Sequence, residues 1–279
     1  MENAIILFRQ SLSEEDEFSI CKKYFDNVYE LRSECRRANL CRSSSSGLVI
    51  GRYSCLPYYR ELEQDLESCG CRLINSYAQH KWIADFEYYD VLKEYTPQTW
   101  FDHDFHTCKY DGPFVVKGKT NSRKHNWNTM MFALDKSNAL DVAARLSSDA
   151  FIGEQGIIYR KYVPLETYET GINGIRFTNE WRLFFLGDKI LSYGYYWTIA
   201  EKTDWKIDNE GIDFACGIAS IVSKHVNFFV VDIAKTIDGR WIMIELNDGQ
   251  MSGPSCNDLH ILYSRLASWC RIREFDTDD

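Results

Sequence analysis

Residues 228–249 read Phe-Phe-Val-Val-Asp-Ile-Ala-Lys-Thr-Ile-Asp-Gly-Arg-Trp-Ile-Met-Ile-Glu-Leu-Asn-Asp-Gly, two apolar runs joined at Asp238-Gly239. Asp-Gly tolerates the positive φ that a two-residue hairpin turn demands, so the segment is expected to form an antiparallel pair. Such a turn pairs Ile237 with Arg240, and counting outward from it sets Asp232 opposite Glu245. Directly opposed residues share a face, with Cβ atoms roughly 4.5–5.5 Å apart. Asn247 falls on that face too, while Ile242, Ile244 and Leu246 form a core stripe on the other. The opposition depends on loop length, since one extra turn residue shifts the register and undoes it.

Two carboxylates held face to face without a partner destabilise a sheet. A divalent cation removes the conflict, and hard oxygen donors suit Mg²⁺, which completes its shell with water and substrate phosphates. A solvated polar face is the plainer alternative. Upstream, Val115, Lys117 and Lys119 share one strand face and Thr120–His125 follows as a polar loop. Lys117, Lys119, Arg123 and Lys124 thus place four positive charges within eight residues. Such a cluster can grip a polyphosphate through charge-assisted hydrogen bonds, although an exposed loop is the commoner setting for any one lysine. Neither GxxxxGK[ST] nor GxGxxG occurs, so a nucleotide would be held without a P-loop or dinucleotide fingerprint.

The cluster stands out because the chain is acidic: 32 Lys+Arg against 41 Asp+Glu give a formal charge of −9. That balance argues against bulk affinity for nucleic acid or anionic membranes. With 45% hydrophobic and 15% aromatic residues, a sizeable core is available and a disordered chain is excluded. No run of about 18 uncharged apolar residues occurs. The first apolar run, Ala4–Phe8, is too short for a signal-peptide core before Glu14, Glu15 and Asp16. These features predict a cytoplasmic protein whose ten cysteines, none in a CxxC pair, are reduced and packed as small apolar groups. No histidines pair at metal-ligand spacing, and His80, His103 and His106 read as surface or structural.

Ala4–Phe8, Leu48–Ile50 and Cys71–Ile74 read as buried strands. Ser11 to about Ala38 reads as a helix, from Phe18, Cys21, Tyr24, Phe25 and Val28 at helical spacing, and Pro57–Ser68 as another. Arg42–Gly47 is a serine-rich connector. Alternating strands and helices mark a parallel α/β layer. Asn75 and Ser76 then lie beyond a strand's carboxyl end, where such sheets bind ligands. After Pro113 the pattern becomes α+β: strands at Phe114–Lys119 and Gly156–Val163, a helix at Ser137–Leu146, and a hairpin of Asn179–Leu186 with Lys189–Tyr196. The acidic hairpin and helices near Ile212–His225 and Asn257–Ile272 complete it.

A lysine on an early strand, a polar loop after it and a late hairpin ending Asp…Glu-x-Asn together resemble the ATP-grasp superfamily, over the span from Ser76 to Asn257. Ile244-Glu-Leu-Asn-Asp-Gly is similar to its terminal metal motif, with the upstream acid 13 residues earlier. Gly51-Arg-Tyr-Ser, Leu73-Ile-Asn-Ser, Thr96-Pro-Gln-Thr and Asn179-Glu-Trp-Arg are similar to a subgroup frequent in phages and bacteria. The resemblance implies an ATP-grasp fold of two α+β lobes after a small parallel α/β pre-ATP-grasp domain. It divides the chain into 1–105 and 106–279, with lobes at about 106–163 and 164–279.

The resemblance also implies ATP and Mg²⁺ as cofactors. Lys117, with Lys119 and Arg123, would meet the phosphates, Tyr159, Arg160, Lys161, Tyr162 and Val163 would border the adenine, and Glu180 would join the cofactor-binding set. Either Arg160 or Lys161 would replace a second nucleotide lysine. Asp232, Glu245 and Asn247 would hold the metal. Arg182, on one strand face with Glu180, would clamp a phosphoryl group or acidic substrate and share catalysis with Lys117; its other reading is an ion pair with Glu180 or a neighbour. Two departures stand out. The loop after Lys117 lacks the usual small residues, leaving Arg123 and Lys124 to supply charge, and Val230 replaces a common arginine.

The implied activity is carboxylate–amine ligation through an acyl phosphate, with an amino acid, peptide or protein as acceptor and no membrane or nucleic-acid partner. The pocket for the substrates would be shaped by the loop at Glu166–Phe177. One alternative is an ATP-binding factor that acts on a protein partner without turnover, similar to the eukaryotic ATP-grasp chaperone that assembles a translation initiation factor. Tyr195, Tyr196 and Trp197 would be its exposed aromatics. Nucleic-acid end processing, resting on the basic loop alone, is a third reading.

Overall fold

The structure is a computed structural model and describes residues 4–9, 15–31, 47–52, 58–150, 152–171 and 175–275. Strands β1 (Ile5–Arg9), β2 (Asn27–Leu31), β3 (Leu48–Arg52) and β4 (Arg72–Leu73) form a parallel sheet in the order β2-β1-β3-β4. Its apolar runs are continuous because both faces are covered. Ile6, Phe8 and Ile50 enter one core with α1 (Glu15–Cys21), whereas Ile5, Leu7 and Val49 enter another with α2 (Tyr59–Glu67).

The long helix expected from Ser11 stops at Cys21, and β2 occupies Asn27–Leu31. Phe18, Cys21, Phe25 and Val28 do share one core, but Val28 reaches it from a strand. The residues of Asn27-Val-Tyr-Glu-Leu suit a pleated surface, and pairing with β1 decides their state. Of the serine-rich connector, only Gly47 lies within the described residues. Its φ of +64° and its closeness to the Gly70 carbonyl leave no room for a side chain.

Helices α3 (Tyr77–Ala84) and α4 (Tyr89–Leu92) lead into an antiparallel sheet of β5 (Thr99–Phe101), β6 (Phe114–Gly118), β7 (Phe132–Ala133) and β8 (Ile157–Lys161), in the order β5-β8-β6-β7. The short α5 (Trp127–Met130) precedes β7. Helix α6 (Lys136–Ser147), capped by the Asp135 side chain, packs Ala139, Val142 and Leu146 against Phe114, Val116 and Ile157. Because β5 pairs with β8, this sheet begins before residue 106, inside the stretch expected to belong to the first unit.

A short hairpin of β9 (Thr167–Thr170) and β10 (Arg176–Thr178) follows. The third sheet has the order β12-β11-β13-β14, from β11 (Glu180–Leu186), β12 (Lys189–Tyr195), β13 (Phe228–Lys235) and β14 (Trp241–Asp248). Helix α7 (Asn209–Val222) covers one face, where Ile218 and Val222 meet Leu183, Phe229 and Val231. On the opposite face Phe184, Phe228 and Val230 join α8 (Leu259–Phe275) and the parallel sheet in one core. Among the described residues no helix is long and apolar enough to cross a membrane.

The acidic hairpin forms with a different register at its tip. Lys235 pairs with Trp241 and Thr236 N–H donates to Arg240 O, so the loop is Ile237-Asp238-Gly239, one residue longer than expected, with Gly239 at φ +84°. Three-residue loops of this kind place their last residue in the left-handed region. A β-bulge between Met243 and Glu245 then restores the lost residue, and Asp232 still faces Glu245. The bulge also reverses the alternation. Met243 and Leu246 enter the α7-side core, while Ile242 and Ile244, expected in that stripe, line a cavity on the other side. Tyr95 O and Thr96 Oγ1 take up the Met243 backbone N–H and C=O at 2.7 and 2.8 Å.

Candidate active site

One row of side chains crosses three adjacent strands: Arg182 on β11 pairs with Asp232 on β13, which pairs with Glu245 on β14. Asp232 is fully buried, and Arg182 grips it with two parallel bonds, Nε to Oδ1 at 2.9 Å and Nη2 to Oδ2 at 2.7 Å. Arg182 Nη1 donates to Gly253 O at 2.9 Å and Asn247 Nδ2 to Asp232 Oδ2 at 3.3 Å. The ion-pair alternative for Arg182 therefore has Asp232, not Glu180, as its partner. Glu245 is paired from the other sheet, by the buried Lys117 of β6. Burial alone would raise the Glu245 carboxyl, but Lys117 and Lys124 outweigh it and hold it below the ordinary carboxylate range.

Between the two antiparallel sheets lies a cavity of about 320 Å³. Its lining combines the charged Lys117, Lys124, Arg160, Glu180 and Glu245 with the apolar or aromatic Trp127, Phe132, Tyr162, Val163, Ile242 and Ile244. Glu180 is buried, accepts from Thr178 Oγ1 at 3.2 Å and meets Lys124 Nζ at 3.5 Å. Burial raises its carboxyl more than Lys124 lowers it.

Arg160 and Lys161 separate by strand alternation. The buried Arg160 guanidinium, on the cavity side, donates to Ile244 O at 2.5 Å and to Thr99 Oγ1 at 3.3 Å, and also to Thr96 Oγ1. Thus the Thr96-Pro-Gln-Thr segment and Arg160 brace the bulge of β14. The exposed Lys161 directs Nζ to 5.1 Å above the Tyr110 ring, although the residue borders the cavity.

Several expected residues lie elsewhere. Tyr159 points to the α6-side core, where its ring stacks 3.7 Å from Phe105 and its hydroxyl donates to Asp102 at 3.1 Å. Strand alternation that turns Arg160 inward necessarily turns Tyr159 outward. Lys119, just past β6, does not line the cavity. Arg123 is bound to Asp149, with Nε donating to Oδ2 at 2.7 Å. Tyr195 is 1% exposed and so is no partner surface. Tyr196 and Trp197 instead flank Lys124, whose Nζ lies 3.9 and 5.1 Å from their ring centroids.

Asn75, expected beside a ligand at the parallel sheet's carboxyl edge, is consumed structurally. Its carboxamide donates to Asp248 Oδ1 at 2.8 Å and to Phe228 O at 2.6 Å, and accepts from Phe228 N–H at 2.8 Å. Asp248 Oδ2 also meets Tyr59 OH at 3.2 Å and His80 Nδ1 at 3.1 Å. This buried network joins the parallel sheet to the end of β14, immediately after Asn247. His80 is thus structural, and His103 and His106 are exposed.

Residues 103–266 match the model of an ATP-grasp domain family, the third family of its clade. The chain belongs to that family. Solved ATP-grasp structures share its fold at low identity. The D-cycloserine synthetase DcsG superposes with a TM-score of 0.59 at 12% identity, covering 96% of this chain and 99% of that one. The ATP-grasp ligase PsnB, complexed with a minimal precursor, gives 0.58 at 12%, covering 98% and 100%. The D-alanine–D-alanine ligase of Bacillus anthracis gives 0.57 at 13%, covering 99% and 100%. No curated protein matches the sequence. In this ATP-grasp chain, among the described residues, no three His, Cys, Asp or Glu side chains converge as a metal cluster. The acidic hairpin offers two carboxylates and one amide.

Proposed function

We propose that this ATP-grasp protein is an ADP-forming carboxylate–amine ligase that uses ATP with Mg²⁺. The observation that carries the reading is the ion pair of Lys117 and Glu245, which joins the two sheets beside a cavity lined by both charged and apolar side chains. A purine suits the apolar lining of Tyr162, Val163, Ile242 and Ile244, and a polyphosphate suits the lysines of the same cavity. Lys117 then exchanges Glu245 for phosphate oxygens, and Arg182 steadies negative charge on the transferring group. Positioning and electrostatics of this kind supply most of the catalysis of phosphoryl transfer.

The donor set fits Mg²⁺: Asp232, Glu245 and the Asn247 amide oxygen are hard oxygen donors from adjacent strands, and Mg²⁺ needs few protein ligands when phosphates and water complete its shell. When bound, the ion neutralises charge on the phosphates. Lys117 and Arg182 balance these carboxylates in its place.

In the proposed reaction a carboxylate oxygen attacks the γ-phosphorus and ADP leaves. An amine nitrogen then attacks the acyl carbon, the C–O bond to phosphate breaks, and a proton is released as the amide forms. The substrate class includes amino acids and peptides, in keeping with the precursor peptide with which the structurally similar PsnB is complexed. The test is ADP release with ATP, Mg²⁺ and panels of carboxylates and amines, followed by ¹⁸O-labelled carboxylate for any active pair. Label appearing in inorganic phosphate supports the acyl phosphate. ATP binding without ADP release across the panels would instead favour an assembly factor without turnover.

A further inference from the structure

Glu245 owes its direction to one extra residue in β14. On the turn side of the bulge, Lys235 pairs with Trp241 and Ile233 with Met243. Continued without a break, that register would set Ile244 opposite Asp232 and turn Glu245 toward Val231, on the face that packs against α7. Instead Glu245 faces Asp232, and Ile244 is the residue left over. The two carboxylates oppose one another only while the bulge is held.

A bulge takes backbone groups out of the ladder, and a buried group without a partner costs about as much as a lost hydrogen bond. Here the partners come from the neighbouring sheet and the segment leading into it. Met243 N–H donates to Tyr95 O at 2.7 Å, Met243 O accepts from Thr96 Oγ1 at 2.8 Å, and Ile244 O accepts from Arg160 Nη1 at 2.5 Å. Arg160 also donates through Nη2 to Thr96 Oγ1 and through Nε to Thr99 Oγ1. The Thr96 hydroxyl thus accepts from the guanidinium and gives its own proton to the bulge.

A straight edge strand would need neither side chain. Both are buried, and the guanidinium bonds run to neutral oxygens, a costly way to satisfy a carbonyl that a regular ladder would not have released. Thr96 does not line the cavity, so its effect on the site runs through the backbone of β14.

We propose that Thr96 and Arg160 are positioning residues of the metal site: by bonding the backbone of Met243 and Ile244 they hold the bulge that turns Glu245 toward Asp232. The inference rests on the metal-binding part of the proposed function and is independent of whether ligation follows.

Mn²⁺ titration without nucleotide, followed by electron paramagnetic resonance, tests it in the wild type, Thr96→Val, Thr96→Ser and Arg160→Lys. Thr96→Val keeps the shape and removes the hydroxyl, Thr96→Ser keeps the hydroxyl, and Arg160→Lys keeps the charge and removes the planar fork. Thr96→Val and Arg160→Lys are expected to bind Mn²⁺ about tenfold more weakly, the scale for losing an outer partner of a metal ligand. Thr96→Ser binds as the wild type does. Unchanged affinity in Thr96→Val or Arg160→Lys overturns the inference, as does an equal loss in Thr96→Val and Thr96→Ser, which would assign the effect to packing. Should Thr96→Val fail to fold, Arg160→Lys decides. A wild type that binds no Mn²⁺ overturns the metal reading and this inference together, whereas a wild type that binds it beside unaffected variants overturns the inference alone.

Discussion

The two walls of the cavity are built to opposite standards. On one, Glu245 ends a row with Arg182 and Asp232, in register on strands of seven and eight residues, with Asp232 paired on both sides; of the three, Glu245 lines the cavity and the other two stand behind it. On the other, Lys117 comes from a five-residue strand and Lys124 from the loop beyond it. The two carboxylates are thus fixed, with Arg182, by a sheet ladder, whereas Lys117 and Lys124 reach in on long stems from near the end of an inner strand and from the segment beyond it. The carboxylate wall even keeps its register through two irregularities, a lengthened turn and a bulge, that cancel. On the proposed function, in which the site holds a small cation in place while admitting a large anion, this asymmetry is of use.

The largest effect should come from breaking the rigid wall. Asp232→Asn or Glu245→Gln is expected to lower substrate-dependent ADP release by about a hundredfold or more, as for loss of a group that organises the transition state. Full activity in either variant would detach the wall from the chemistry.

Breaking the cationic wall should act in two directions. Lys117→Met is expected to weaken ATP binding by about tenfold to a hundredfold. It also frees Glu245, so Mn²⁺ binding without nucleotide, read by electron paramagnetic resonance, should strengthen. Weakening of both ligands together would show that Lys117 is not what balances Glu245 in the absence of metal.

The two sides of the bulge give a third contrast. Met243 is fully buried, and Met243→Ala should cost about 2–5 kcal/mol in urea unfolding. Ile244 is partly exposed to the cavity, so Ile244→Ala should cost less stability and show itself in weaker adenosine binding. Equal stability losses with unchanged binding would contradict the bulge's reversal of faces.

The smallest effect belongs to the outer end of the same sheet, where Asp208 caps α7 and meets Lys235 at 2.6 Å. Burial raises the Asp208 carboxyl, but bonds from Lys235 and the Gly211 amide together outweigh it and hold it below the ordinary aspartate range. A depressed carboxyl stabilises the fold above its unfolded value and ceases to do so as pH falls through the folded one. Asp208→Asn keeps a capping side chain, so its deficit, about 0.2–1 kcal/mol at neutral pH, should close as pH drops below about 4. A deficit independent of pH would show that charge is not its source.

How much of this was legible in the sequence differs between the walls for the same reason they differ in build. Both C-terminal hairpins followed from alternating runs and turn dipeptides, which are local signals. The opposition of Asp232 and Glu245 was expected from a two-residue turn and occurs with a three-residue one. The bulge that reconciles them is set by Tyr95, Thr96 and Arg160, residues brought there only by tertiary structure. Helical spacing over Phe18–Val28 failed because the five residues at that spacing also fit a helix, a turn and a strand leading into one core. Nothing local distinguishes Lys124 from Arg123. Their partners, Glu180 and Asp149, are 56 and 26 residues away. The network of Asn75, His80 and Asp248 was hidden in the same way, since each residue alone reads as a loop or surface polar group.

A crystal structure with a non-hydrolysable ATP analogue and Mn²⁺ tests the central claim most directly. The account predicts an anomalous Mn²⁺ peak among Asp232, Glu245 and Asn247, phosphates against Lys117, and the purine between Tyr162 and Ile244. A nucleotide bound outside the space between the two antiparallel sheets, or a metal away from those three residues, would contradict it.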